Sequence, residues 1–269
     1  MKFIKKVAFW FVMLFLAACG SGGSSNNNDA PDLMVFLVSG HTGVINSTSG
    51  SYLNNTAGPG IIADLRSAGY NVEFEYYIDN AVQVGNYGGY QELVGDMEVA
   101  RDQLQSKGTR SIVIAHSHGA VWAHAAIEAV DDLTVTALVD LDASSFGWNI
   151  SGHASQNSVI GGDPENRFNI AQTRTCASFP NAPSDGSASY DLEDVVFPNV
   201  QFALEVRGSQ SPPLFAQLYD EKWNVRTDGN TDGLSCYYSN TSGSHAEVHN
   251  ASGTTIAYVK SWLKTTLAN

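Results

Sequence analysis

The sequence predicts an α/β protein built on a mostly parallel central sheet. Between residues 34 and 142, apolar runs suited to buried strands alternate with segments of helical spacing. This order makes neighbouring strands parallel, because each helix returns the chain to the same edge of the sheet. The body of the chain, residues 31–269, is long enough to form a single domain with a full hydrophobic core.

Hydrophobic spacing defines the elements in the first part of the chain. Apolar residues in the strands form short runs or alternate with polar ones, and in the helices they recur every three to four residues. Gly69 and Gly108 follow the two helical patterns and favour their ends, since glycine readily adopts the left-handed backbone of a helix stop. The predicted elements are a strand over 34–38, a helix over 61–68, a strand over 72–76 and a helix over 93–104.

The alternation continues to residue 141 and then stops. The segment 143–194 is rich in Ser, Asn, Gly and Pro and shows little periodicity. A stretch of that length without regular structure is uncommon in a compact domain unless it has a function. The remaining predicted elements are strands over 111–115, 135–141 and 199–206, a helix over 120–130 and a last helix around 256–263.

The segment Ala115-His116-Ser117-His118-Gly119 lies between a predicted buried strand and a predicted helix. Strand, small-x-Ser-x-Gly, helix is the pattern of a nucleophile elbow, a turn so tight that the outer residues must be small. The turn exposes the serine hydroxyl and directs the next backbone N–H at the same space. Ser117 is therefore the predicted nucleophile; a helix N-cap serine is the alternative without chemistry.

A second copy of the pattern, Ala182-Pro183-Ser184-Asp185-Gly186, has neither a strand before it nor a helix after it. It lies among Pro, Asn and Ser, which favour turns. We predict a loop there, so the elbow pattern indicates a nucleophile only at Ser117.

With the elbow in place, the chain resembles the α/β-hydrolase superfamily, in particular its bacterial lipase- and esterase-like members. Ala115 stands where most members have Gly, as it does in a group of small bacterial lipases. The resemblance covers the order of elements over most of residues 32–269 and implies the α/β-hydrolase fold. Because the matching place in this fold often carries a lid, we predict a polar, lid-like insertion over about 143–194.

The resemblance implies a histidine base on the loop before the final helix. A serine at its ordinary pKa needs such a base, and imidazole titrates near neutrality. His245 and His249 both qualify by position. We predict His245, because it follows Ser242-Gly243-Ser244, a loop that lets the ring reach back to the sheet edge.

The triad also needs an acid that accepts a hydrogen bond from the histidine. The resemblance implies a loop after the strand at 199–206, and there Asp220 is the predicted acid. Asp142, at the end of the strand over 135–141, is the main alternative, since some lipases take their acid from that place. Asp228 and Asp232 lie in Asp-Gly turns, where aspartate is common for structural reasons.

Two backbone N–H groups are needed for an oxyanion hole. The predicted donors are the amides of His118, which follows the nucleophile, and of His41, in a Gly-His segment that resembles the oxyanion loop of lipases. His41, His116 and His118 together could suggest a metal site. We predict no metal and no other cofactor, because the side chains at the two variable positions of an elbow diverge.

The N-terminus predicts export. Lys2, Lys5 and Lys6 precede an apolar run over 7–16, which is too short to span a bilayer. Leu16-Ala17-Ala18-Cys19 resembles the lipobox of bacterial lipoproteins, so 1–18 is the predicted signal peptide and Cys19 the acylated residue. Residues 19–30 form a Gly/Ser/Asn tether. Gly20 after the cysteine resembles the sorting pattern for the outer membrane of Gram-negative bacteria.

Net charge limits the possible partners, and export predicts the state of the cysteines. Without the signal peptide the chain keeps 11 basic and 27 acidic residues, a net charge of −16, which argues against nucleic acid as a partner. Cys176 and Cys236 would then remain with Cys19, and an oxidising compartment favours a Cys176–Cys236 disulfide over two free thiols.

These residues predict a lipid-anchored serine hydrolase that cleaves carboxylic esters, with an ester or lipid as its substrate. A thioesterase, peptidase or acyltransferase on the same fold is the first alternative. A non-catalytic, surface-binding lipoprotein is the second, favoured by the long polar segment 143–194 and the open choice of acid.

Overall fold

The computed structural model describes most of the predicted domain. It covers residues 30–40, 52–145, 148, 153–165, 167–170, 189–210, 223–245, 248–250 and 253–268. The predicted signal peptide, Cys19 and the tether up to residue 29 lie outside these residues. Within them, no helix has the length and apolar character needed to cross a bilayer.

A six-stranded sheet forms the centre of the fold, and every one of its strand pairings is parallel. Side by side across the sheet lie β10 (Leu234–Ser244), β8 (Val200–Gln210), β4 (Val135–Leu141), β3 (Arg110–His116), β1 (Leu33–Val38) and β2 (Val72–Tyr77). The predicted α/β class with a mostly parallel sheet is confirmed.

Helices cover both faces of the sheet. On one face, α2 (Tyr90–Lys107) and α3 (Gly119–Ala129) bury their apolar sides in a core with β3 and β4. On the other, α1 (Ala57–Ser67) and α4 (Thr254–Ala268) pack in a second core. The strands between them are nearly continuous apolar runs because both of their faces are buried.

The predicted helix stops agree with the structure. Gly69 follows α1 at φ 99° and Gly108 follows α2 at φ 76°, both in the left-handed region that glycine tolerates. β10 was not predicted. Its sequence, Leu-Ser-Cys-Tyr-Tyr-Ser-Asn, lacks an apolar run or a strict alternation, because it is an edge strand with one neighbour.

Much of the described part of 143–194 contributes to the core. Trp148, Tyr190 and Leu192 are fully buried against the face that carries α3, and Ile160 is nearly so. Short elements connect these anchors: two-residue strands β5 (Phe168–Asn169) and β6 (Ser189–Tyr190), and 3-10 helices His153–Gln156 and Leu192–Asp194. The segment is thus more apolar in its packing than its composition indicates.

Residues 171–188, with the second elbow-like pattern, lie outside the described residues, and a lid stays a prediction.

Two small elements complete the described fold. β7 (Val195–Val196) pairs with β9 (Val225–Arg226) beside the main sheet. A 3-10 helix, Tyr52–Asn55, precedes α1 and carries a tyrosine into the region of the elbow.

Candidate active site

The elbow between β3 and α3 has the geometry that its sequence predicts. Ser117 has φ 56°, a left-handed conformation that is uncommon for a residue other than glycine. A Cβ on Gly119 would lie 2.5 Å from the carbonyl oxygen of Val38, and one on Gly40 would lie 2.6 Å from Cβ of Ser117. The turn is therefore wedged against the end of β1, which explains why its flanking positions are small.

Three side chains form a continuous hydrogen-bonded chain at this turn. Ser117 Oγ lies 2.8 Å from His245 Nε2, and His245 Nδ1 lies 2.8 Å from Asp142 Oδ2. The backbone N–H of Gly208 donates to the second carboxylate oxygen of Asp142 at 3.0 Å. The nucleophile predicted from the elbow and the base predicted from the C-terminal loop are thus brought together.

Asp142 is held in place by its own backbone. It follows β4 at φ 48°, and its N–H donates to the carbonyl of Val206 on β8 at 2.7 Å. Burial alone would raise the pKa of Asp142, but the hydrogen bond and charge of His245 and the N–H of Gly208 outweigh it, so the pKa is lowered. The carboxylate is ionised and oriented, as a histidine-orienting acid must be.

The carboxylate that contacts His245 is that of Asp142, the alternative considered from the sequence. Asp220, the preferred residue there, lies outside the described residues. Asp228 and Asp232 make local contacts with Asn230 in an exposed turn, in agreement with a structural role.

His116, the residue before the nucleophile, connects both sides of the site. Its Nε2 donates to the backbone carbonyl of His245 at 2.8 Å, so its Nδ1 accepts the hydroxyl proton of Tyr52. The Tyr52 hydroxyl in turn accepts the N–H of Gly40 at 2.8 Å. This chain of hydrogen bonds, the Tyr52–His116 relay, joins the loop after β1 to the loop of His245.

Burial keeps the relay neutral. It lowers the pKa of His116 well below the ordinary value, and the neighbouring His245 and His249 lower it further. Burial likewise raises the pKa of the Tyr52 hydroxyl. The ring of His249, the alternative base, packs 4.7 Å from the ring of His116 and 4.8 Å from that of Tyr52. His249 thus supports the relay, and His245 is the histidine that contacts Ser117.

The backbone near the elbow is compatible with the predicted oxyanion hole. His118 follows Ser117 at the start of α3, and a Cβ on Gly40 would lie 2.9 Å from its amide nitrogen. The Gly40 N–H is used by Tyr52. His41, the predicted second donor, lies outside the described residues, and its role stays a prediction.

His118 turns away from His116, as expected for the two variable positions of an elbow. Its Nδ1 lies 4.0 Å from Oδ2 of Asp79, and His153 Nε2 lies 3.1 Å from the same oxygen. Neither Asp79 nor His153 was singled out from the sequence. Asp79 could have been, because it follows β2 at the sheet edge where ligands bind in open α/β sheets.

The predicted disulfide is not resolved by the described residues. Cys236 lies on β10, but Cys176 lies outside the described part of the chain, so the pairing stays a prediction.

The order Ser117, Asp142, His245 along the chain, with the serine on a strand-to-helix elbow of a parallel sheet, defines the α/β-hydrolase fold. No family model and no curated protein matches the chain. Among solved structures, Est1E from Butyrivibrio proteoclasticus is 13% identical, with a TM-score of 0.44 over 91% of this chain and 91% of that one.

Two further solved structures are similar to the same extent. The sugar hydrolase YeeB from Lactococcus lactis is 10% identical, with a TM-score of 0.48 over 90% of this chain and 92% of that one. The esterase Pf2001 from Pyrococcus furiosus is 14% identical, with a TM-score of 0.46 over 88% of this chain and 80% of that one.

Proposed function

We propose that the protein is an exported, lipid-anchored serine hydrolase that cleaves carboxylic esters through an acyl-enzyme on Ser117. The observation that carries the proposal is the chain of 2.8 Å contacts from Ser117 through His245 to Asp142. A nucleophile, a base and an orienting acid in this arrangement are suited to acyl transfer.

The reaction proceeds in two steps. His245 Nε2 takes the proton of Ser117 Oγ as the oxygen attacks the ester carbonyl, and returns it to the departing alcohol. Asp142 stabilises the imidazolium, and the amides of His118 and His41 hold the oxyanion. Water, activated by His245, then attacks the acyl-enzyme, the carboxylic acid leaves and Ser117 regains its proton.

A fluorophosphonate probe tests the nucleophile directly. The folded protein should be labelled once, and Ser117→Ala should lose the label, whereas Ser184→Ala, in the second elbow-like pattern, should keep it. Absence of labelling in the folded wild type would favour a non-catalytic surface-binding lipoprotein.

Substrate class and location need separate assays. Turnover of a chain-length series of nitrophenyl esters distinguishes an esterase from a lipase. Labelling without turnover of any ester would favour thioester, peptide or acyl-transfer chemistry on the same serine.

The lipid anchor at Cys19 predicts that the wild type enters the membrane fraction of a Gram-negative host and that Cys19→Ala does not.

A further inference from the structure

A second group of side chains converges on the other flank of the elbow. Asp79, His118 and His153 each offer one atom able to bind a metal, and these three atoms lie within 4.8 Å of one another. The shortest separation is 3.1 Å, from His153 Nε2 to Asp79 Oδ2. A tetrahedral ion bound at about 2.0–2.2 Å separates its ligand atoms by roughly 3.3–3.6 Å, and the observed separations, from 3.1 Å to at most 4.8 Å, bracket that distance.

The three ligands come from three separate parts of the chain. Asp79 follows β2, His118 begins α3, and His153 opens a 3-10 helix in the segment 143–194. An ion held by all three would fasten that segment to the elbow. Such an ion would add a link to the core contacts that Trp148 and Tyr190 already provide.

The carboxylate of Asp79 is oriented by a neighbour that is not a ligand. Trp122 Nε1, on α3, donates to Asp79 Oδ1 at 2.6 Å, which turns Oδ2 toward the two imidazoles. Hydrogen bonds of this kind to the outer oxygen of a ligating carboxylate fix its direction and are typical of protein metal sites.

The surroundings are apolar and largely closed to solvent. The side chains of Asp79, His118 and His153 are 6–8% exposed. The ring of Trp148 packs 4.6 Å from that of His153 and 5.1 Å from that of Trp122. Exclusion of solvent from such a place strengthens the attraction between a carboxylate and a bound cation.

A buried His–Asp pair elsewhere in the protein shows what a purely structural contact looks like. His124 Nε2 lies 3.1 Å from Asp140 Oδ1, its Nδ1 lies 3.0 Å from the Val195 carbonyl, and Asn224 donates to the other carboxylate oxygen. Its only imidazole has both nitrogens engaged by protein acceptors. In the Asp79 cluster, two imidazoles face one oxygen atom.

We propose that Asp79, His118 and His153 form a binding site for a divalent transition-metal ion of the zinc class. Two imidazoles and one carboxylate are a common ligand set for such ions and leave a fourth position for water. No metal site was predicted from the sequence, because His118 was considered there only together with His41 and His116. The site is independent of the esterase proposal, since its primary readout is bound metal and not turnover.

The test uses the chain without a histidine tag, stripped with a chelator and titrated with Zn²⁺. Elemental analysis after gel filtration should find one Zn²⁺ per wild-type chain. Asp79→Asn and His153→Ala should lose that ion. Trp122→Phe, which removes the hydrogen bond to Asp79 together with part of a buried ring, should bind Zn²⁺ about 10- to 100-fold more weakly.

Asp140→Asn is the matched control, because it makes the same chemical change in the other buried His–Asp pair. It should keep one Zn²⁺ per chain. Circular dichroism identifies variants that fail to fold, and Zn²⁺ should raise the melting temperature of the wild type but not of Asp79→Asn. Folded wild type without stoichiometric Zn²⁺, or equal binding by Asp79→Asn, His153→Ala and Asp140→Asn, would overturn the proposal.

Discussion

The two histidines beside Ser117 have opposite environments, although they occupy equivalent positions of one turn. His116 lies in the Tyr52–His116 relay, with both ring nitrogens engaged, and joins two loops of the triad. His118 faces a carboxylate that it shares with His153. One flank of the elbow is thus a chain of hydrogen bonds that joins the loops of Gly40 and His245, and the other is a group of converging imidazole and carboxylate side chains. The same residue type has two environments because the tight turn sends the two side chains in opposite directions.

The largest expected effect is on the triad, which the relay supports. Asp142→Asn should lower kcat by roughly 10³- to 10⁴-fold, because an amide does not stabilise the imidazolium and favours the wrong histidine tautomer. Steady-state hydrolysis of a nitrophenyl ester measures this loss. Asp220→Asn should keep kcat within about twofold. A large loss in Asp220→Asn with a small one in Asp142→Asn would return the acid to Asp220.

The second-largest expected effect concerns Gly119, where the elbow packs closely against the end of β1. Gly119→Ala should lower the free energy of unfolding by about 3 kcal/mol, since its Cβ would collide with backbone atoms of Val38 and Ser39. Gly95→Ala is the matched control within α2: a Cβ there meets nothing within 4 Å, and alanine should stabilise the helix by about 0.5–1 kcal/mol. Urea unfolding of both variants checks this, and equal effects would contradict it.

Disrupting the Tyr52–His116 relay should lower the free energy of unfolding by less than Gly119→Ala does. Tyr52→Phe removes one hydroxyl and leaves Gly40 N–H and His116 Nδ1 without that partner, which lowers the free energy of unfolding by about 2 kcal/mol. We also expect kcat to fall more than KM changes, because His245 is less firmly held. Tyr87→Phe is the control: its hydroxyl contacts the side chain of Asn54 away from the triad. Unchanged kcat in Tyr52→Phe would show that the relay does not position His245.

The smallest expected effect is the change in the free energy of unfolding with pH. Because the folded pKa of His116 is lowered, the stability it contributes is fully present above the unfolded value of about 6.5 and is lost as pH falls toward the folded pKa. The free energy of unfolding should drop by at most about 1.4 kcal/mol per pH unit below pH 6.5. His249 has the same sign, since burial lowers its pKa, whereas Asp140 outweighs burial and raises the pKa of His124.

Comparing wild type with His116→Gln isolates the contribution of His116, because His249 and His124 titrate in both proteins. Unfolding measured between pH 7 and 5 should show a flatter slope in the variant. Asp142 does not interfere, since its lowered pKa acts below about pH 4. An identical slope in both proteins would mean that folding does not lower the pKa of His116.

Much of the fold could be predicted from local pattern, whereas the contacts between distant segments could not. The elbow, β4 and the helix stops depend on neighbouring residues, and β4 has the predicted bounds Val135–Leu141. Asp142 was ranked second because its role depends on a left-handed backbone and a carbonyl on β8, which no local pattern reveals. His153 was missed for a similar reason: it lies 35 residues after His118 in a segment without periodicity.

The backbones of Ser117 and Asp142 have a consequence for how this protein can evolve. Among the described residues, these are the two non-glycine positions with a positive φ, a conformation that costs a side-chain-bearing residue about 1–2 kcal/mol. Glycine would relax the backbone at either position, but at 142 it would also remove the carboxylate that contacts His245 and the Gly208 N–H. Relief of backbone strain therefore favours glycine only at 117, where it removes the hydroxyl of the predicted nucleophile. A library screened only for heat resistance should enrich glycine at 117 and not at 142, and would thereby mark the nucleophile without a substrate.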